Sequence, residues 1–94
     1  MNLNNMWINF LEKIKQKISN ISYETWFSET KLININDGIA KVQVPYHIHK
    51  KNLSENYIDI IEETFLEVTG TNFKFEFYLE EELEKNIKLD IESI

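Results

Sequence analysis

Apolar side chains recur along residues 4–18 at the spacing of an amphipathic helix. The apolar stripe comprises Trp7, Phe10, Leu11, Ile14 and Ile18. This spacing keeps them on one face, because 3.6 residues complete a helical turn. Asn4 or Asn5 is the expected N-cap, since an asparagine side chain accepts a hydrogen bond from a backbone N–H of the first turn.

A second, short helix is predicted to begin at Ser22, a favourable N-cap residue, and to end near residue 28 or 29. Tyr23, Trp26 and Phe27 fall at i, i+3 and i+4 and therefore share one helical face. We expect Trp26 to pack into the core. Ser22 and Tyr23, at the start of the helix, are expected nearer the surface.

The segment KLININDGIAKVQV predicts a β-hairpin with a two-residue turn at Asp37-Gly38. This turn places Asn36 opposite Ile39, and the alternation of the two strands then assigns the inward side chains. The residues expected to face the core are Ile33, Ile35, Ala40, Val42 and Val44.

Residues 47–69 predict a helix in two pieces, with a bend near Asn52 and Ser54 and with Ser54 as the cap of the second piece. Gly70 is expected to end this helix, because glycine adopts the left-handed conformation that closes many helices. The segment that follows alternates as a strand does. Its inward side chains are Phe73, Phe75, Phe77 and Leu79.

The predicted order α-α-β-β-α-β defines an α+β fold with a three-stranded sheet packed on helices. With 94 residues, of which 43% are hydrophobic, the chain forms one small domain, assigned to residues 1–79. Residues 80–94 hold six acidic residues against two lysines, so they carry −4 of the net charge of −6. We expect an acidic tail or the start of a flexible linker there, in either a fragment of a longer protein or a free-standing domain.

The residue sets of common enzyme and metal sites are missing from the sequence. The chain has no cysteine, and its two glycines, Gly38 and Gly70, are already assigned to turns, so no phosphate-binding loop is present. His47 and His49 are two residues apart and are expected to be surface histidines at a helix start instead of metal ligands. We therefore predict a non-catalytic protein that uses no cofactor and no metal.

Charge and hydropathy exclude further classes of function. An acidic chain in which all ten basic residues are lysine is a poor candidate for tight binding to duplex DNA. The N-terminus carries Glu12 inside its apolar region and has no cleavage site, and no apolar run reaches about 18 residues. We expect a cytoplasmic protein without a membrane partner.

The ordered set of Trp7, Tyr23-x-x-Trp26, Val44-Pro45 and Tyr57 resembles the N-terminal domain (domain I) of the bacterial replication initiator DnaA. The order of these residues over about residues 4–79 carries the resemblance, and no single motif does. It implies a KH-like domain that binds proteins and has no catalytic activity. In the family, this domain self-associates, contacts the replicative helicase and is the docking site for regulatory proteins of initiation.

The resemblance also implies two sets of site residues. A self-association surface on the first helix would contain Trp7, Phe10 and Leu11, although Trp7 at the edge of the core is an equal alternative. The residues expected to bind partners are Ser22, Tyr23, Tyr46 and Ile48.

Three of these positions depart from the family pattern. Asparagine usually stands at the position of Tyr46, a phenylalanine that contacts the helicase at the position of Ile48, and in some members an acidic residue at the position of Ser22. The expected partner surface is therefore similar in place and different in chemistry.

An alternative function is weak binding of single-stranded nucleic acid. Lys50 and Lys51 form a small basic patch that could contact single-stranded DNA, or else a solvated helix face. The GXXG loop with which KH domains hold RNA is missing from the sequence. An adaptor with no role in replication is a third alternative.

Overall fold

The computed structural model describes residues 2–83 and shows an α+β fold. The elements are α1 (Leu3–Lys17), α2 (Asn20–Trp26), β1 (Lys31–Asn36), β2 (Ile39–Gln43), α3 (His47–Asn56), α4 (Ile58–Thr69) and β3 (Lys74–Tyr78). Residues 80–83 add a helical turn after β3. The predicted class and order are confirmed, with the third helix in two pieces, whereas the rest of the predicted tail, residues 84–94, lies outside the described residues.

Helix α1 begins earlier than its pattern predicted. Asn2 is the N-cap, and its side-chain oxygen accepts a hydrogen bond from the backbone N–H of Asn5 at 2.8 Å. The prediction of Asn4 or Asn5 as the cap was wrong, because the polar residues at positions 4 and 5 already belong to the first turn. The apolar stripe is confirmed, with Phe10 and Ile14 fully buried.

Helix α2 also begins one turn earlier than expected. Ser19 is its N-cap, and its hydroxyl oxygen accepts from the Ser22 N–H at 3.1 Å, so the assignment of Ser22 as the cap was wrong. The buried face of α2 is centred elsewhere than expected, so the predicted positions of Trp26 in the core and of Tyr23 nearer the surface were wrong. Tyr23 and Phe27, four residues apart, enter the core, while Trp26 is only partly buried and packs against the core edge.

The sheet has the order β1-β2-β3, with β1 and β2 antiparallel and β2 and β3 parallel. The predicted turn is confirmed at Asp37 and Gly38, which both have positive φ, and Asn36 pairs with Ile39. Further from the turn, the register shifts by a bulge between Leu32 and Asn34.

The bulge reverses one predicted side-chain orientation. Leu32 pairs with Val42 and turns into the core, whereas Ile33 is 36% exposed. The expected inward position of Ile33 was therefore wrong, because a bulge adds one residue to a strand and moves the side chains beyond it to the other face.

The junction between α3 and α4 lies at Tyr57, which ends one helix and precedes the other. The predicted bend near Asn52 and Ser54 was wrong. The Ser54 hydroxyl instead donates to the Lys50 carbonyl inside α3, at 2.6 Å. Gly70 is confirmed as the C-cap of α4, with φ of 77° and its N–H donating to the Leu66 carbonyl at 2.7 Å.

The core lies between the helices and one face of the sheet. Phe65 of α4 is at its centre and contacts the rings of Phe10, Phe73 and Phe75 at centroid distances of 5.8, 5.6 and 5.3 Å. The inward face of β3 is confirmed, with Phe77 fully inside. Over residues 2–83, the longest apolar stretch of helix falls short of what a bilayer crossing needs.

Candidate protein-interaction surfaces

An open groove of 370 Å³ runs between α2 and α3, and we name it the α2–α3 groove. It is lined by Trp26, Ile48, Lys51, Asn52, Glu55 and Asn56. The α3 residues recur every three or four positions and therefore line one face of that helix. Trp26 forms the opposite wall from the last turn of α2. The groove thus has one apolar side chain on each helix, and its remaining lining residues are polar or charged.

Two large apolar side chains lie exposed at the start of α3. Tyr46 is 63% exposed and Ile48 is 62% exposed, and Tyr46 precedes the first residue of the helix. Covering large exposed apolar side chains with a partner is favourable, because it removes apolar surface from water. Together with Trp26, they form the apolar part of the surface on which a partner was predicted to dock.

The other two predicted partner residues contribute less surface. Tyr23 is buried, and the Lys15 ammonium lies over its ring at 4.9 Å from the centroid. Ser22 is partly buried, and its hydroxyl oxygen accepts from the Ser19 hydroxyl at 3.0 Å. Of the four predicted residues, Tyr46 and Ile48 are therefore the ones that a partner can reach through a large apolar area.

The histidine pair at the start of α3 is not a pair of surface residues. His49 is only 8% exposed, and its Nε2 atom lies 2.7 Å from the carbonyl oxygen of Thr25. Its ring contacts Trp26 edge-on, with centroids 5.1 Å apart. The expected surface position is wrong for His49, because α2 lies across this turn of α3, and right for the exposed His47.

A second groove, of 510 Å³, lies between α1 and the first strand, and we name it the α1–β1 groove. Its lining residues are Leu3, Asn4, Trp7, Ile8, Leu11, Thr30, Lys31, Leu32 and Ile33. Ile8 is 48% exposed, and the bulged Ile33 is exposed beside it. These two side chains are the apolar surface that this groove offers to another molecule.

Of the residues predicted for self-association on α1, Trp7 and Leu11 line this groove, whereas Phe10 does not. Phe10 is completely buried. Trp7 is 5% exposed and donates its indole N–H to the Thr30 hydroxyl at 3.1 Å, and Leu11 is partly buried. Sequence reasoning missed Ile8, whose position outside the apolar stripe of α1 was the available signal.

The two lysines of the predicted basic patch differ, because, within residues 2–83, one forms an ion pair and the other does not. The Lys50 ammonium donates to both carboxylate oxygens of Glu82, at 3.1 and 2.9 Å, while Lys51 is exposed. The Glu82 carboxylate also accepts the backbone N–H of Leu79 at 3.0 Å. That backbone bond and then Lys50 lower the pKa of Glu82 from its usual value. The helical turn at 80–83 is thereby attached to α3.

The chain is similar to known proteins of one family. Residues 4–67 match the family model of the DnaA N-terminal domain. A chromosomal replication initiator protein DnaA from Thermodesulfovibrio yellowstonii is 30% identical over 77 residues. The match spans 82% of this chain and 18% of that relative, so the chain corresponds to a small part of the relative's length.

A solved structure shares the fold. It is a crystal structure of a HobA–DnaA (domain I–II) complex from Helicobacter pylori, with a TM-score of 0.63 and 24% sequence identity. The superposition covers 80% of this chain and 99% of that chain.

Proposed function

Since this chain belongs to the family of DnaA N-terminal domains, we propose that it is a non-catalytic protein-interaction module of a replication initiator, acting in the cytoplasm. Its role is to recruit the replicative helicase and regulatory proteins of initiation and to bring initiator molecules together. The observation that carries this proposal is the α2–α3 groove, where the exposed Ile48 faces Trp26, with the exposed Tyr46 at the start of the same helix.

The α2–α3 groove has the composition of a docking site for a protein. Large apolar and aromatic side chains supply most of the binding energy at protein interfaces, and polar residues at the rim add specificity. Ile48 and Trp26 are the apolar anchors here, and Lys51 and Glu55 provide charges of both signs on the α3 side. A partner that fits this site presents an apolar side chain flanked by polar or charged groups.

The Helicobacter pylori structure supports a protein as the partner. Its DnaA chain, which shares the fold of this protein, is in a complex with HobA. We expect a regulatory protein or the helicase to bind this chain at the α2–α3 groove. Ile48, an exposed aliphatic side chain, stands where the family pattern has an aromatic one.

Self-association is assigned to the α1–β1 groove. Ile8 and Ile33 are its exposed apolar side chains, and the partly buried Leu11 continues the surface. Trp7 and Phe10 contribute by supporting α1 from inside, because their own side chains are covered. The exposed area is small, which fits a weak dimer or oligomer that forms when several initiators are held close together.

Weak binding of single-stranded DNA remains the alternative function. Lys51 is the exposed candidate contact, whereas the charge of Lys50 is already neutralised by Glu82. A phosphate that contacts Lys50 has to displace a carboxylate held by two hydrogen bonds from the ammonium group. This competition makes the protein partner the better supported of the two.

A titration by NMR tests the proposal. The isotope-labelled chain is mixed with the unlabelled replicative helicase of the same organism, and in a second sample with a short single-stranded oligonucleotide. We expect the helicase to shift the signals of Tyr46, Ile48 and the Trp26 indole. A helicase that shifts none of these signals contradicts the proposal, and oligonucleotide-induced shifts at Lys51 alone favour the alternative.

A further inference from the structure

His49 connects α3 to α2 through one specific ring atom. Its Nε2 lies 2.7 Å from the Thr25 carbonyl oxygen, although the two residues are 24 positions apart in the chain. A carbonyl oxygen can only accept a hydrogen bond, so Nε2 must carry the proton. The neutral ring is therefore the Nε2–H tautomer, and Nδ1 is buried without a hydrogen-bond partner among residues 2–83.

This hydrogen bond is part of the C-terminal cap of α2. The last four carbonyls of a helix have no partner within the helix and need donors from elsewhere. The Tyr23 carbonyl accepts from the Phe27 and Ser28 N–H groups, and the Glu24 carbonyl accepts from the Ser28 hydroxyl at 2.7 Å. The next carbonyl, that of Thr25, receives its donor from His49. The end of this seven-residue helix is thus fixed partly by a side chain of α3.

The same ring separates the two walls of the α2–α3 groove. Trp26 packs edge-on against His49 at a centroid distance of 5.1 Å, with an interplanar angle of 63°. Tyr46 contacts the ring at 5.7 Å. Ile48, on the other wall, is the neighbour of His49 in the chain. The position of Trp26 relative to Ile48 therefore depends on how the imidazole is held.

We propose that His49 is a positioning residue of the α2–α3 groove, whose Nε2–H bond to the Thr25 carbonyl holds Trp26 opposite Ile48. The groove's use in partner binding rests on the function proposed above, but the positioning itself is a property of the free chain. A hydrophobic residue at this position could fill the same space, yet it would leave the Thr25 carbonyl without its donor.

Two substitutions separate the hydrogen bond from the packing. His49→Phe keeps an aromatic ring of similar size and removes the donor. His49→Gln removes the ring and keeps an amide N–H at about the distance of Nε2 from the backbone. The readouts are the Trp26 indole and Ile48 methyl signals in NMR spectra, and the buried Trp7 indole is the internal control for intact folding.

We expect long-range ¹H–¹⁵N spectra of the unmodified chain, recorded at about pH 8 where histidine is neutral, to show a proton on Nε2 and none on Nδ1. His49→Phe shifts the Trp26 and Ile48 signals, and His49→Gln returns them towards their original positions, with Trp7 unchanged throughout. A proton on Nδ1 overturns the proposal. So does a His49→Phe chain with unmoved Trp26 and Ile48 signals, or a His49→Gln chain displaced as far as His49→Phe.

If His49→Phe does not fold, the tautomer of the unmodified chain and the His49→Gln spectrum decide the question. The outcome is also separable from the proposed function, because none of these spectra requires a partner. A chain with the expected tautomer and variant shifts that binds no helicase contradicts the proposed function and leaves the positioning role intact. A chain that binds helicase but carries its proton on Nδ1 contradicts the positioning role and leaves the proposed function intact.

Discussion

The indole N–H of Trp7 donates to the hydroxyl of Thr30 over 3.1 Å, in a buried bond between α1 and the residue just before β1. The same hydroxyl donates to the Phe27 carbonyl at 2.7 Å. Thr30 thereby joins α1 to the end of α2 with a single oxygen atom. Through this arrangement the Trp7 side chain holds α1 against the segment between α2 and β1.

Replacing Thr30 by valine tests this connection. Thr30→Val keeps the shape of the side chain but leaves the Trp7 N–H without its acceptor. It also removes one of the two hydrogen bonds that the Phe27 carbonyl accepts from Thr30, because the backbone N–H of residue 30 still donates to it. We expect the free energy of unfolding to fall by about 1–3 kcal/mol in urea titrations. Thr25→Val, at an exposed helical position, is the matched control and should change stability by less than about 0.5 kcal/mol. Equal effects of the two variants would show that the buried hydroxyl has no special role.

A single carboxylate connects the turn at 80–83 to the body of the domain and should make that connection sensitive to acid. The pKa of Glu82 is lowered by the Leu79 N–H and by Lys50. A lowered folded-state pKa means that this contribution is complete above the usual value near 4.5 and is lost as the pH falls through the lower value. Since the ion pair is about one-third exposed, its contribution is below about 1 kcal/mol.

The Leu79 amide signal reports this titration directly. We expect its chemical shift to change in a step below the usual glutamate range, and we expect Glu82→Gln to abolish that step. Glu81→Gln, at the exposed neighbouring position, is the control that should preserve it. A step that persists in Glu82→Gln would assign the titration to another group.

If self-association uses the α1–β1 groove, a charge introduced at its exposed apolar surface should disrupt it. Ile8→Glu places a charge on the exposed part of the groove and leaves Trp7 and Phe10 in the core, so the free chain should retain its stability. We expect weaker self-association in sedimentation equilibrium, with a dissociation constant raised at least about tenfold. Leu66→Glu, on the exposed side of α4, is the matched control. Unchanged self-association in Ile8→Glu would move the contact to a different surface.

The sequence predicted the hairpin turn correctly, and the predicted pairing of β1 with β2 is wrong only beyond the bulge. Asp37-Gly38 has a strong local preference for its turn, so Asn36 pairs with Ile39 as expected. Alternation counted from this turn put Ile33 on the inward face, but Leu32 is also apolar, so a shift of one residue keeps an apolar side chain facing the core. The bulge that selects Leu32 is a consequence of packing under α1, which local sequence does not encode.

The sequence predicted which side chains of α2 share a face but not how deeply each is buried. Helical spacing groups Tyr23, Trp26 and Phe27 on one face, but it does not show which side chain is central and which lies at the edge. In the structure, Tyr23 and Phe27 are central, and this leaves Trp26 as a groove wall. The role of His49 was missed because its partner is a backbone carbonyl, and a carbonyl has no signature in the sequence.

If the α2–α3 groove binds the protein partner, a substitution in the groove must weaken the complex with the replicative helicase, and isothermal titration calorimetry measures that change. Ile48→Glu removes an exposed apolar anchor without disturbing the core. We predict that it weakens binding about 30-fold, equivalent to about 2 kcal/mol, while Leu66→Glu binds as the unmodified chain does. Equal affinities of the unmodified chain and Ile48→Glu would show that the helicase does not bind at the α2–α3 groove.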